Sequence, residues 1–160
     1  MIVIADTGPV NYLVLVGEIE ALPALYDRIL VPQAVYNELM HPRAPEAVHR
    51  WIAQLPQWLE VRASSLTPDG DLLAADIEAG ERDAILLAQE LAADRLIMDD
   101  LRGRQEAERR HLVVTGTIGV LRAAANLGLL DLRHALERLR RTNFRMEKAL
   151  FERLMRGESG

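Results

Sequence analysis

Short runs of apolar, mostly β-branched residues alternate along the chain with longer stretches in which apolar positions recur every three or four residues. The first pattern predicts strands buried on both faces, the second amphipathic helices. "MIVIA" opens the series as a strand that runs into Asp6, and Pro9 suits the first turn of a helix lasting to about residue 16. A second helix is expected around 18–26, then the strand "RILVP" and a helix from Pro32, "PQAVYNELM", ending near "HPRAP". "PEAVHRWIAQL" reads as helix and "WLEVRAS" as strand, and "LTPDGD" is a turn before the helical "DLLAADIEAG". After Gly80, "ERDAILLAQELA" is strongly periodic, with Ala84, Ile85, Ala88, Leu91 and Ala92 on one face. The strand "RLIM" follows, then a charged helix "LRGRQEAERRH", the strand "LVVTG" and the helix "TIGVLRAAANLG".

Strands separated by helices of this length predict an α/β protein, a three-layer α/β/α sandwich around a central parallel sheet. Two basic amphipathic helices, at 131–142 and 145–157, close the chain. No repeat, low-complexity tract or linker interrupts it, so 1–160 is expected as a single domain, an α/β core over 1–128 with a helical extension over 129–160.

Composition narrows the class. A 49% hydrophobic and 27% charged chain of 160 residues can bury a real core. No apolar run approaches the ~20 residues of a membrane span, and Asp6 together with a first basic residue at Arg28 excludes a signal peptide. The absence of cysteine rules out disulfides and thiolate metal sites and fits a cytoplasmic location. The four histidines, His41, His49, His111 and His134, lack zinc-ligand spacing. The net charge of −5 is uneven: residues 133–156 carry eight Arg or Lys against three Glu, so the remainder carries −10. An acidic body with a basic arm could join a hard-metal site to a phosphate-binding surface, although a basic helix face can equally be plain solvated surface.

The acidic residues are placed where chemistry is built. In parallel sheets, ligands bind beyond the carboxyl ends of the strands. Asp6 ends the first strand, and Asp99 and Asp100 end "RLIM". Glu38 falls at the margin of the buried stripe of its helix, and Glu81 and Asp83 fall in a first helical turn. Each has a plainer account: first-turn acids complement the helix dipole for about 0.3–1 kcal/mol, and an Asp after a strand is often a turn or cap residue. Together, carboxylates without His or Cys make an oxygen-ligand site suited to Mg²⁺ or Mn²⁺, ions that also bind phosphate oxygens.

"IADTGPV", "PQAVYNEL", "AGERDAILLA" and "LIMDD", in this order, resemble the acidic signature of PIN-domain nucleases, above all the PIN-like toxins of toxin–antitoxin modules. The resemblance covers the core to about residue 128, and the tail resembles the extension of one PIN subgroup. It implies that Asp6, Glu38 and Glu81 are the first three catalytic acids and that Asp99 and Asp100 together cover the fourth. Asp6, Glu81, Asp99 and Asp100 would hold metal, with Thr7, Asp83 and Thr117 in support. The chain departs from the pattern at Gly8, where a small hydroxyl residue is common, and in its doubled aspartate. The implied activity is Mg²⁺- or Mn²⁺-dependent endoribonuclease action, with Arg102, Arg104, Arg138, Arg140 and Arg141 on the RNA backbone. A cognate antitoxin occluding the acids and a homodimer are the implied partners. A haloacid-dehalogenase-like phosphatase would need a second Asp where Gly8 stands. A phospho-receiver would need a lysine after the last core strand, and "LVVTGTIG" has none. A catalytically silent PIN fold serving as an RNA-binding or scaffolding module remains the alternative.

Overall fold

In the computed structural model, which describes residues 1–157, five strands form one sheet: β1 (Ile2–Ala5), β2 (Arg28–Pro32), β3 (Leu59–Arg62), β4 (Arg95–Ile97) and β5 (Val114–Thr115). All neighbours pair in parallel, in the order β3-β2-β1-β4-β5. Register follows from burial. Ile4 of β1 lies between Leu30 and Leu96, and all three side chains are fully buried on one face. One residue along, Val3 and Ala5 face the other way, beside Ile29 and Ile97 respectively. A one-residue slip would exchange the two faces of every strand.

Helices cover both faces. On one lie α1 (Thr7–Leu15), α2 (Ala21–Leu25), α3 (Gln33–Leu39), α4 (Glu46–Ala53), α8 (Thr117–Asn126) and α9 (Leu132–Arg140). On the other lie α5 (Gly70–Ala74), α6 (Ala79–Glu90) and α7 (Leu101–Arg109). The chain closes with α10 (Lys148–Met155). This is the expected three-layer arrangement of a parallel sheet with helices. Among the described residues, no helix is long and apolar enough to cross a membrane.

Two elements differ from expectation. The second helix is confined to Ala21–Leu25 because Gly17 adopts a left-handed conformation (φ 77°) and the chain turns before helix can start. The helix expected through residue 80 breaks after Ala74, and α6 begins earlier, at Ala79. Glu78 and Glu81 form a reciprocal capping box there, satisfying backbone donors that would otherwise be orphaned. The sheet order matters most for function. The chain runs outward from β1 to β3, then crosses back to place β4 on the other side of β1. The carboxyl ends of β1 and β4 therefore flank the switch point where parallel sheets open a crevice.

Candidate active site

Asp6 directly follows β1, and its backbone N–H donates to the Ile97 carbonyl of β4 (2.9 Å), so the side chain is fixed at the switch point. It is only 6% exposed. Burial is the main cause that lifts its carboxyl from 3.8 to about 7; a hydrogen bond from the Thr7 backbone opposes, and Glu38, Asp99 and Glu78 add repulsion.

Helix α3 brings in Glu38, whose Oε2 accepts a 2.6 Å hydrogen bond from the Thr7 hydroxyl. The carboxylate can enter because α6 has a glycine at that point: a Cβ on Gly80 would stand 2.6 Å from Glu38 Oε1. Helix α6 contributes Glu81, raised from 4.5 to about 8, first by burial and then by repulsion from Asp100 and Asp6. Beyond β4, Asp99 accepts from both the backbone N–H (2.7 Å) and the hydroxyl (2.6 Å) of the fully buried Thr117, and so caps α8 from a different strand. Its carboxyl is also raised by burial, against the Thr117 bonds and the nearby Arg104. Asp100 Oδ2 accepts from the Gly103 N–H (2.9 Å) as the N-cap of α7.

These acids line a cleft of about 220 Å³ with Thr7 and Gly8. The cleft holds six carboxylates, from Asp6, Glu38, Glu78, Glu81, Asp99 and Asp100, and none of its lining residues is basic. Its charge is therefore uncompensated by the walls, and that repulsion adds to the burial that raises the Asp6 and Glu81 carboxyls. Among the described residues, no three such groups are arranged as a ready-made metal cage. The donor chemistry still fits one class of ion. All-oxygen donors suit a hard cation that keeps most of its waters and is held by one or two carboxylates together with substrate phosphate.

A family model described as PIN domain (DUF3368) matches residues 2–158. The chain belongs to the PIN-domain family. Its fold is similar to that of a PilT N-terminus domain protein from the hyperthermophilic archaeon Sulfolobus solfataricus, with a TM-score of 0.56 at 16% identity, covering 78% of this chain and 93% of that one. No curated protein shows significant sequence similarity to it. PIN domains are a nuclease fold family whose members generally use divalent metals. In this PIN domain, Asp6, Glu38, Glu81, Asp99 and Asp100 meet in one cleft with Thr7, and Thr117 stands behind Asp99.

Other residues singled out in the sequence lie elsewhere. Asp83, two positions past Glu81, points about 200° around α6 and lines a separate groove with Gln33, Ser64 and Arg82. Arg102 pairs with Asp76, and Arg138 pairs with Glu18 (2.7 Å) just beyond the C-terminal end of α1. At about 1.5 Å per residue, that end lies more than about 12 Å from the acids at the start of the helix. Arg140 stacks over Phe151, 4.5 Å from the ring centroid, and Arg141 borders a shallow surface pocket with His134 and Glu137. Periodicity marks these arginines as a basic helix but cannot tell which edge of the sheet the helix packs on. Only Arg104, near Asp99, stands beside the acids. Conversely, Glu78 was missed. Its signal was the Glu-x-x-Glu spacing of a capping box at residues 78–81.

Proposed function

We propose that this PIN-domain protein is a Mg²⁺- or Mn²⁺-dependent endoribonuclease, acting in the cytoplasm as the toxin of a toxin–antitoxin pair. One observation carries the reading: six carboxylates line a single cleft at the switch point without a basic neighbour in its walls. A binding module for RNA alone would not gather like charges where a phosphate must approach. A bound divalent ion supplies the missing counter-charge and polarises a phosphodiester and its attacking water.

The chain's own residues set the geometry. Thr7 holds Glu38 through its hydroxyl, and Thr117 fixes both oxygens of Asp99 while leaving their remaining lone pairs toward the cleft. Asp100 is held through Oδ2 alone, leaving Oδ1 without a hydrogen bond from the α7 cap. Burial raises the Asp6 carboxyl to about 7 and the Glu81 carboxyl to about 8 in the empty cleft, and a cation held nearby would favour their ionised forms. A cognate antitoxin would silence such a site by filling the cleft, and the resemblance to PIN-like toxins supports that partner and a homodimer.

The test is cleavage of structured and single-stranded RNA by the wild type, Asp6→Asn and Glu38→Gln, with Mn²⁺, Mg²⁺ or EDTA. Cleavage is expected only in the wild type with metal. Wild-type rates in both variants would overturn the assignment.

A further inference from the structure

A second depression, of about 920 Å³, adjoins the acid cleft and shares Asp99 and Asp100 with it. One wall is the connection between α9 and α10, which brings Asn143, Phe144 and Arg145 back to the core. The connection is anchored. Tyr12 of α1 donates a 2.8 Å hydrogen bond to Asn143 Oδ1, and the Tyr12 and Phe144 rings pack edge to face with centroids 5.0 Å apart. Arg104 and Arg122, from α7 and α8, line the same groove.

Several arginines near the site or on the C-terminal arm are already engaged. Arg102, Arg109, Arg110 and Arg138 are ion-paired, and Arg140 is stacked on Phe151. Arg104, Arg122 and Arg145 line the groove, and among the described residues none of the three has an acid within ion-pair distance. Two arginines without an ion-pair partner, Arg122 and Arg145, an aromatic pair and an amide therefore lie along a trough that runs into the carboxylates, where Arg104 faces Asp99.

We propose that this groove holds the single-stranded RNA segment flanking the scissile phosphate, with Arg122 and Arg145 on its backbone and Tyr12, Asn143 and Phe144 against a base. The RNA identity rests on the nuclease reading. A single strand is favoured over a duplex because its bases are free to meet an aromatic wall, and base–aromatic contacts tolerate any sequence. The C-terminal extension is then a substrate-positioning element as well as a covering layer.

The test is binding of a short labelled single-stranded RNA to the full chain in EDTA, where metal-dependent cleavage is prevented. Arg122→Gln with Arg145→Gln should weaken binding at least tenfold and lower the slope of log K against log salt by roughly 1.4, about 0.7 for each lost contact to a single strand. Arg145→Lys should retain most of the slope, and Arg43→Gln with Arg50→Gln, an exposed charge-matched control at and before α4, should leave it unchanged. An unchanged slope in the double variant, equal loss in the control, or equal affinity for a duplex of the same sequence would overturn the proposal. The slope is measured without cleavage, so an inactive wild type with a reduced variant slope refutes the nuclease reading alone. An active wild type with an unchanged slope refutes the groove alone.

Discussion

Replacing Asp6 by Asn should stabilise the metal-free protein, and the size of the gain should depend on pH in a defined way. The carboxyl rises from 3.8 in the unfolded chain to about 7 in the fold, which at 1.36 kcal/mol per unit is worth about 4 kcal/mol. The sign follows from proton binding. Between those two values the folded state holds a proton that the unfolded state has lost, so stability falls as pH rises through this window and is flat above about 7. Asn keeps the shape and an acceptor for the Thr7 backbone bond but cannot ionise, so it escapes the penalty. At pH 5 the difference between variant and wild type should be about 1–2 kcal/mol, and at pH 8 about 4 kcal/mol. The gap thus widens by about 3 kcal/mol, roughly 6–12 °C of melting temperature for a chain of this size. The assay is thermal unfolding in EDTA across that range, repeated with Mn²⁺. Manganese binding only the native state should add about 2.7 kcal/mol to the wild type at a hundredfold excess over its dissociation constant, and less to the variant. A variant that melts at or below the wild type at pH 8, or a gap independent of pH, would refute the picture of Asp6 as an uncompensated buried acid.

Three further outcomes separate the site from its scaffold. Gly80→Ala should gain up to about 1 kcal/mol of helix propensity yet lose cleavage on the order of a hundredfold, because the added Cβ displaces Glu38; unchanged kcat in a cleavage assay would show that Glu38 can be spared. Thr117→Val should cost about 1.5–3 kcal/mol in urea unfolding by removing a buried donor to a carboxylate, and Thr117→Ser should restore it. Glu81→Gln should abolish RNA cleavage while Asp83→Asn stays within about 0.5 kcal/mol of wild-type stability and keeps activity; the reverse order would return Asp83 to the site.

The legibility of these features in the sequence follows physical range. Strand runs such as "RILVP" and the periodic "ERDAILLAQELA" are local, set by burial on one face or two, and the α/β sandwich follows from their alternation. Asp6 and Asp99 were legible because parallel pairing puts the ends of β1 and β4 at one edge whatever the sheet order. Glu38 and Glu81 rested on resemblance, since the gap that admits Glu38 exists only where Gly80 of another helix meets it. The arm is the opposite case. Its charge was plain, but the direction of α9 depends on its buried Ala135, Leu136 and Leu139, and that packing turns Arg138 to Glu18. Arg145 was expected to open the last helix, which begins instead at Lys148, and the packing of Asn143 to Arg145 carried no local signal because it arises only when the connection folds back on Tyr12.

The way the acids are held explains how so much like charge survives in one cleft. No arginine or lysine forms an ion pair with any of the six among the described residues. Their supports are hydroxyls and backbone N–H groups: Thr7 for Glu38, Thr117 for Asp99, and the Gly103 cap for Asp100. Such donors fix orientation without cancelling charge, so the negative potential stays available to a cation arriving from solvent. An arginine in the cleft would stabilise the empty protein and at the same time weaken the attraction for any cation. The arginines nearest the site instead line the adjoining groove, outside the walls of the cleft. The raised carboxyls of Asp6 and Glu81, due first to burial and then to their uncompensated neighbours, mark stability given up in the empty state that a bound cation would restore.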